Sequence, residues 1–68
     1  MIRQTGKIKT WNEERGFGFA SREGARDIFI HATALPSGLR ELAVGTPITF
    51  VAVPGRGGGE QAADVRID

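Results

Sequence analysis

The residues in this sequence most suited to chemistry are phenylalanine rings at alternate positions. Residues 15–19 read Arg-Gly-Phe-Gly-Phe, and residues 27–31 read Asp-Ile-Phe-Ile-His. Because alternate residues of a β-strand point to the same face, each motif separates its rings from its small or aliphatic residues. In the second motif, the face with aspartate and histidine favours water, whereas the two isoleucines favour the core.

Paired as antiparallel neighbours, the two motifs place four side chains together on an outer face: Phe17, Phe19, Phe29 and His31. A cluster of exposed rings on a small protein indicates a binding surface. The bases of single-stranded nucleic acid suit this surface, because every base has a π-face that stacks on an aromatic ring. Taken singly, a strand phenylalanine is more often a core residue and a histidine can simply end a strand, but the isoleucine pattern favours exposure.

Basic residues lie beside these rings in the sequence. Lys7, Lys9 and Arg15 fall in the first quarter of the chain, although the net charge of the whole chain is only +1. Near an aromatic strip they favour phosphate contacts, and the Arg15 guanidinium can also stack on a base; ordinary solvated charges are the alternative. Strand alternation places Trp11 on the face of the two lysines, where it either stacks on a base or covers the edge of the fold.

Three other polar residues have competing interpretations and stay outside the predicted site. Asn12 is predicted either to form a turn or to read a base. Asp27 is predicted either to close a turn or to accept a hydrogen bond from a base edge. Arg56, in the glycine-rich segment 54–59, is predicted at a loop tip rather than against a phosphate.

Composition excludes several other classes of protein. The chain has 68 residues, which predicts one domain spanning residues 1–68. It has no cysteine and one histidine, so disulfides and thiolate or multi-histidine metal sites are excluded. It has no run of about 18 apolar residues and no apolar leader at its start, so a cytoplasmic location is expected. No nucleophile has a defensible base partner, and the adjacent Glu13 and Glu14 diverge in a turn, so an enzyme is not expected.

The elements that must position these residues are predicted to be short strands. Apolar runs are brief, ten residues are glycine, and no segment shows a sustained helical period. Strands are predicted at residues 5–12, 17–21, 27–31, 45–53 and 61–67. Five such strands in so short a chain predict an all-β fold, a small closed or nearly closed barrel.

Local patterns add detail to the later part of the chain. The loop of residues 32–44 is predicted to contain a short helical turn capped by Thr33. Three leucines are predicted to pin this loop to the core: Leu35, Leu39 and Leu42. In the fifth strand, three residues are predicted to share one side: Ala63, Val65 and Ile67.

Three stretches together resemble the cold-shock domain family: Gly6-Lys7-Ile8-Lys9-Thr10-Trp11-Asn12, Arg15-Gly16-Phe17-Gly18-Phe19 and Asp27-Ile28-Phe29-Ile30-His31. The second and third match that family's two ribonucleoprotein motifs, usually K-G-F-G-F and V-F-V-H. Residues 45–50 and 61–65 extend the resemblance over almost the whole chain. It implies a five-stranded antiparallel OB-fold barrel that binds single-stranded RNA and DNA with little sequence preference, often as an RNA chaperone.

The chain departs from the usual family pattern at three stacking positions. Where the family reads K-W-F-N, residues 9–12 read Lys-Thr-Trp-Asn, so Thr10 replaces the first aromatic residue. Ala32 and Leu39 stand at two further positions that are often aromatic. Because stacking contributes roughly 1–3 kcal/mol per base, weaker binding and a shorter footprint are expected. The variant Trp-Asn-x-Glu-Arg-Gly-Phe-Gly-Phe also resembles cold-shock domains fused to a short membrane domain in some bacterial proteins.

The predicted nucleic-acid-binding site comprises eight residues: Lys7, Lys9, Trp11, Arg15, Phe17, Phe19, Phe29 and His31. Single-stranded RNA or DNA is the expected partner, with no cofactor, metal, small-molecule substrate or membrane. The alternative is a protein-interaction or self-associating barrel that has lost part of its strand-binding surface. Pro47 suggests that the fourth strand lies at an edge, where exposed Val51 and Val53 would suit a homodimer.

Overall fold

The computed structural model describes residues 3–68, without the side chain of Arg56, so the predicted position of that side chain lies outside the description. Five strands follow one another along the chain: β1 (Gln4–Asn12), β2 (Phe17–Arg22), β3 (Ala25–His31), β4 (Pro47–Pro54) and β5 (Glu60–Ile67). Two short 3₁₀ turns lie between them, at Ala32–Ala34 and Arg56–Gly58. Among the described residues, no helix is long and apolar enough to cross a membrane.

The strands close into a barrel in the order β1-β2-β3-β5-β4. This confirms the predicted five-stranded barrel. Neighbouring strands run antiparallel except at one seam, where β3 and β5 run parallel and Phe29 is paired with Gln61. A parallel closure is a feature that the sequence pattern did not predict.

The core lies inside the barrel and draws on every strand. Its fully buried larger side chains are Ile8, Ile28, Ile30, Ile48, Phe50 and Val65. The prediction that Ile28 and Ile30 face inward is therefore confirmed. Ile48 and Phe50 of β4 also face inward. On β2, Gly18 and Ala20 are paired with Ile30 and Ile28 and are buried with them.

The expectation that β4 is an edge strand is wrong. β4 pairs with β1 on one side and with β5 on the other. Val51 and Val53 are half-buried and lie opposite Ala63 and Gln61 of β5. Pro47 is the first residue of the strand, a position that proline tolerates in a paired strand as well as at an edge.

An irregularity in β5 breaks the predicted alternation of that strand. The register with β4 shifts between Thr49 and Val51, and Asp64 has a positive φ of 49°. Val65 is consequently buried together with Ala62, whereas Ile67 is 51% exposed. A bulge adds one residue to one strand and so reverses the faces beyond it, which is why Ala63 does not share a side with Val65. Ile67, the last residue of β5, is paired with the buried Ile48 and lies on the side of Val65.

The long loop after β3 matches its prediction in part. Leu35 and Leu42 are buried in the core, but Leu39 is 38% exposed, so its predicted pinning role is wrong. The 3₁₀ turn Ala32–Ala34 is capped by the side chain of His31, which accepts a hydrogen bond from the Thr33 backbone N–H. Thr33 was expected to be the cap itself.

Candidate nucleic-acid interface

Four side chains form an outer surface on β2 and β3 that we call the aromatic platform: Phe17, Phe19, Phe29 and His31. Strand register places Phe17 opposite His31 and Phe19 opposite Phe29. Residues paired in this way lie on the same face of an antiparallel sheet. The predicted grouping of these four residues is therefore what the structure shows.

The three phenylalanine rings of the platform contact one another. Ring centroids of Phe17 and Phe29 are 5.6 Å apart, those of Phe19 and Phe29 5.7 Å, and those of Phe17 and Phe19 6.5 Å. These separations are typical of interacting aromatic pairs, and two of the three contacts are edge-to-face. Phe19 is 39% exposed. The rings thus hold their positions by mutual packing while they stay accessible from outside.

Trp11 does not belong to the platform, contrary to prediction. The register of β1 against β2 shifts between Ile8 and Thr10, so Trp11 lies opposite Gly18 on the core side. There the indole packs against the core, and its Nε1 is buried without a hydrogen-bond partner among the described residues. A Cβ at Gly18 would collide with this indole, so the glycine provides the space for it.

Thr10 takes the outer position that a regular strand would have given to Trp11. It is exposed and lies opposite Phe19. A shallow groove of about 580 Å³ opens here, lined by Lys9, Thr10, Phe19, Ala25, Arg26 and Asp27. The platform therefore ends at Phe19, and a hydroxyl stands where the resemblance leads one to expect a ring.

The predicted basic residues surround the platform in three different settings. Lys9 forms an ion pair with Asp27, with 2.9 Å between Nζ and Oδ2, which is neither of the two roles expected for Asp27. Lys7 is exposed and lies opposite Ser21, further along the outer face of β2. Sequence reasoning missed Arg26, which lines the Thr10 groove and directly precedes the second motif.

The turn between β1 and β2 presents Arg15 to solvent. Asn12 forms this turn, because its side-chain Oδ1 accepts a hydrogen bond from the Arg15 backbone N–H (3.1 Å) and its carbonyl accepts one from Gly16 (2.8 Å). Gly16 has a φ of 72°, which glycine adopts without strain. Its carbonyl in turn accepts from the Ala32 N–H at 2.8 Å, which ties the turn to the end of β3.

His31 is held in one orientation at the end of the platform. Its Nδ1 accepts from the Thr33 backbone N–H at 3.2 Å and lies 3.0 Å from the Thr33 hydroxyl. Because Nδ1 is an acceptor in this contact, the neutral ring carries its proton on Nε2. The platform thus ends in a ring that can stack on a base and donate a hydrogen bond.

A second cavity, of about 650 Å³, adjoins the platform at the β3–β5 seam and is lined by Phe29, His31, Thr33, Gly55, Glu60 and Gln61. Sequence reasoning missed the β5 residues Glu60 and Gln61, which come from the far end of the chain. Only the parallel closure of the barrel brings them beside Phe29, and no local pattern signals that closure.

A contact between Glu13 and Glu41 affects the charge near the turn that Asn12 forms. The pKa of Glu41 is raised, because its carboxyl shares a hydrogen bond with Glu13 and because the two negative charges repel each other. Glu13 belongs to the turn that carries Arg15, and Glu41 belongs to the long loop after β3. The pair therefore adds negative charge beside a basic position of the predicted site.

Comparison with known proteins agrees with this geometry. Residues 4–67 match the model of the 'Cold-shock' DNA-binding domain family. The chain is 44% identical over 63 residues to the cold shock-like protein CspD of Bacillus cereus, covering 91% of this chain and 94% of that protein. It is 39% identical over 66 residues to the cold shock protein CapB of Pseudomonas syringae pv. tomato, covering 96% of this chain and 94% of that protein.

A solved structure described as drosophila Unr CSD456 superposes on the barrel with a TM-score of 0.80 at 25% sequence identity. The superposition covers 98% of this chain but only 27% of the larger one, so the likeness is to one part of that protein. The match to the family model spans nearly every described residue and includes both motifs of the platform. The chain belongs to the cold-shock DNA-binding domain family, and its function is nucleic-acid binding of the cold-shock type.

Proposed function

We propose that this protein binds single-stranded RNA or DNA by stacking bases on the aromatic platform. The observation that carries the proposal is the grouping of Phe17, Phe19, Phe29 and His31 on one accessible face. Bases of a single strand have free π-faces, whereas those of a duplex are stacked on one another. The platform therefore selects unpaired strands without reading a particular sequence.

Phosphate contacts complete the proposed site at its rim. Lys7, Lys9 and Arg15 are exposed and lie on the platform face or in the adjoining turn. Lys9 must exchange its Asp27 partner for a phosphate, at small cost because exposed ion pairs contribute little. Each phosphate contact with a single strand should add about −0.7 to the slope of log affinity against log salt, so the total slope is shallow. We remove Trp11 from the stacking residues and retain it as a support beneath Gly18.

Binding of this kind makes the protein an RNA chaperone without any catalytic step. A partner that binds unpaired strands but not hairpins shifts the hairpin equilibrium towards the open form by mass action. The short platform, with Thr10 at its end, keeps the affinity below that of a longer aromatic surface and allows fast release. No cofactor or small-molecule substrate takes part in this mechanism, which we propose for residues 1–68 acting as one domain in the cytoplasm.

The alternative, a protein-interaction or self-associating barrel, loses one of its supports. The expected homodimer through β4 required a free edge, and β4 is paired on both sides. A homodimer formed through that strand would require the barrel to open. We therefore favour strand binding over protein interaction as the use of the exposed rings.

The test is fluorescence anisotropy with a labelled oligothymidine and a labelled hairpin duplex of matched charge, at low and moderate salt. We expect saturable binding of the single strand, weakened by salt, and much weaker binding of the duplex. A dissociation constant in the low-nanomolar range at physiological salt would contradict the short platform. Equal affinity for the duplex, or no binding to either probe, would contradict the stacking function.

A further inference from the structure

The groove beside Thr10, at the end of the platform, is polar where the platform itself is aromatic. Phe19 forms one wall, and Lys9, Thr10 and Asp27 line the groove with an ammonium group, a hydroxyl and a carboxylate. The sugar–phosphate backbone next to a base stacked on Phe19 can therefore enter the groove. An ammonium group suits a phosphate, and a hydroxyl and a carboxylate suit a sugar hydroxyl.

A bulge in β1 brings the consecutive residues Lys9 and Thr10 to the same outer side. The register with β2 skips Lys9 and pairs Thr10 with Phe19, so Lys9 is the extra residue of the bulge. Both side chains are exposed. Asp27 reaches the same side because it lies two residues before Phe29 on β3, and Phe29 is paired with Phe19.

Lys9 and Asp27 lie side by side, as a phosphate and a sugar hydroxyl do in RNA. Nζ of Lys9 is 2.9 Å from Oδ2 of Asp27. In an RNA chain, the carbon that carries the 2′-hydroxyl is bonded to the carbon that carries the 3′-phosphate. When Lys9 turns to that phosphate, the Asp27 carboxylate loses its partner, and the neighbouring 2′-hydroxyl can donate to it instead. Deoxyribose has only a methylene group there, so DNA supplies no donor.

The Thr10 hydroxyl complements the carboxylate. It is exposed in the same groove, opposite Phe19. A threonine hydroxyl both donates and accepts hydrogen bonds, as the 2′-hydroxyl of ribose does, whereas an ionised carboxylate only accepts. Asp27 can therefore accept the proton of the 2′-hydroxyl while Thr10 donates to its oxygen.

We propose that this groove binds one ribose–phosphate unit of the strand and recognises its 2′-hydroxyl, so that the protein prefers RNA to DNA. Lys9 binds the phosphate, Asp27 accepts a hydrogen bond from the 2′-hydroxyl, and Thr10 donates one to it. The preference belongs to one nucleotide, because stacking on the platform rings is available to the bases of both nucleic acids. The inference rests on the proposed function, because the strand must first stack on Phe19.

The experiment compares labelled oligouridine with labelled oligodeoxyuridine of about seven nucleotides, within the site size of one OB fold. The two strands have the same bases, length and charge and differ only in the 2′-hydroxyl. Fluorescence anisotropy should show tighter binding of the RNA strand by on the order of fivefold, as about one net hydrogen bond would give. Replacing one ribose at a time by deoxyribose should then identify one position that accounts for most of this difference.

A 2′-fluoro sugar at that position separates hydrogen bonding from sugar shape. Fluorine keeps the ribose-like sugar pucker but leaves no hydroxyl proton for Asp27 to accept. We expect the 2′-fluoro strand to bind about as weakly as the strand with one deoxyribose. Full affinity of the 2′-fluoro strand would overturn the inference, because the preference would then come from the shape of the sugar.

Three variants test whether the preference comes from the groove. Thr10→Val keeps the shape of the side chain but removes the hydroxyl, so it should reduce the RNA preference and leave DNA affinity unchanged. Thr5→Val makes the same change at an exposed threonine of β1 outside the groove and should leave the preference intact. Asp27→Ala should also reduce the preference, while DNA binding tightens slightly because Lys9 loses a competitor for phosphate. Thermal melting of each variant verifies that the barrel is folded.

The outcomes separate the inference from the proposed function. Equal affinity for the two strands, or tighter binding of DNA, would overturn the inference and leave the stacking function standing. An RNA preference that is unchanged in Thr10→Val or in Asp27→Ala would also overturn it. If neither strand bound, the stacking function would be overturned and the inference would fail with it.

Discussion

The two faces of β2 and β3 are both apolar, yet only one of them is core. The inner face carries Gly18, Ala20, Ile28 and Ile30, all buried, and the outer face carries the aromatic platform. The inner side chains meet residues from the other strands of the barrel, whereas the outer rings mainly meet one another. Hydrophobicity alone therefore does not identify the core. What separates core from binding surface here is whether another element covers the face.

Adjacent residues of β3 offer the strongest test of this difference. Ile30→Ala should lower the free energy of unfolding by about 2–4 kcal/mol, because it leaves a cavity in a fully buried site, while the folded fraction keeps its affinity. Phe29→Ala should cost less stability but weaken binding of oligothymidine about tenfold or more, since it removes a stacking ring and the partner of two others. Urea unfolding and anisotropy titration measure the two effects.

Val44→Ala is the matched control, because this valine is 70% exposed and lies in the loop before β4. It should change neither quantity appreciably. If Phe29→Ala proved as destabilising as Ile30→Ala and left affinity unchanged, the outer rings would be structural.

Thr10 and Trp11 provide the next test, because the bulge before Thr10 places Thr10 on the outer face and Trp11 on the inner one. Thr10→Phe should add a ring beside Phe19 on the outer face and tighten single-strand binding by up to about tenfold, as one more stacked base would give. Trp11→Phe changes the ring on the inner side and should alter melting temperature rather than affinity. If Thr10→Phe did not tighten binding, or if Trp11→Phe weakened it, the two residues would have been assigned to the wrong faces.

These two residues also show what the sequence could and could not predict. The platform followed from strand alternation and the isoleucine pair, because residues 17–20 pair with residues 28–31 in regular register and the bulge near Arg22 lies beyond them. The predicted alternation of side chains was wrong at Trp11 in β1 and at Asp64 in β5, because one extra residue in a strand reverses every face beyond it. Glu60 and Gln61 could not be found at all, since their place beside Phe29 depends on the parallel closure of the barrel.

The Lys9–Asp27 ion pair should give a smaller effect, visible in the dependence of binding on salt. Lys9→Ala should reduce the steepness of the log–log salt dependence by about 0.7, the contribution of one phosphate contact with a single strand. Asp27→Asn removes the ion-pair partner of Lys9, so it should tighten strand binding slightly and leave the slope of log affinity against log salt unchanged. Titration at several salt concentrations measures both changes. Weaker binding of Asp27→Asn would instead make Asp27 a base-reading residue.

The Glu13–Glu41 contact should give the smallest effect. A carboxyl whose pKa is raised by folding binds its proton more tightly in the native state, so it stabilises at acid pH, and this contribution is lost as pH rises through the raised pKa. Above that range the two charges repel, so Glu41→Gln should slightly raise the melting temperature at neutral pH. Melting curves at neutral pH and near pH 4, the ordinary carboxyl range, test this. Glu23→Gln, which changes an exposed carboxyl elsewhere, should not alter the pH dependence in the same way.

The most direct test of the stacking platform is nuclear magnetic resonance of the protein bound to oligothymidine, with nuclear Overhauser contacts observed between base and side-chain protons. The outer face predicts contacts from the thymine rings to Phe17, Phe19 and Phe29. It predicts none to Phe50, which is fully buried, or to Trp11, which packs on the inner side. Contacts to Trp11 in place of the platform rings, or saturable binding without contact to any of the three, would contradict the proposed site.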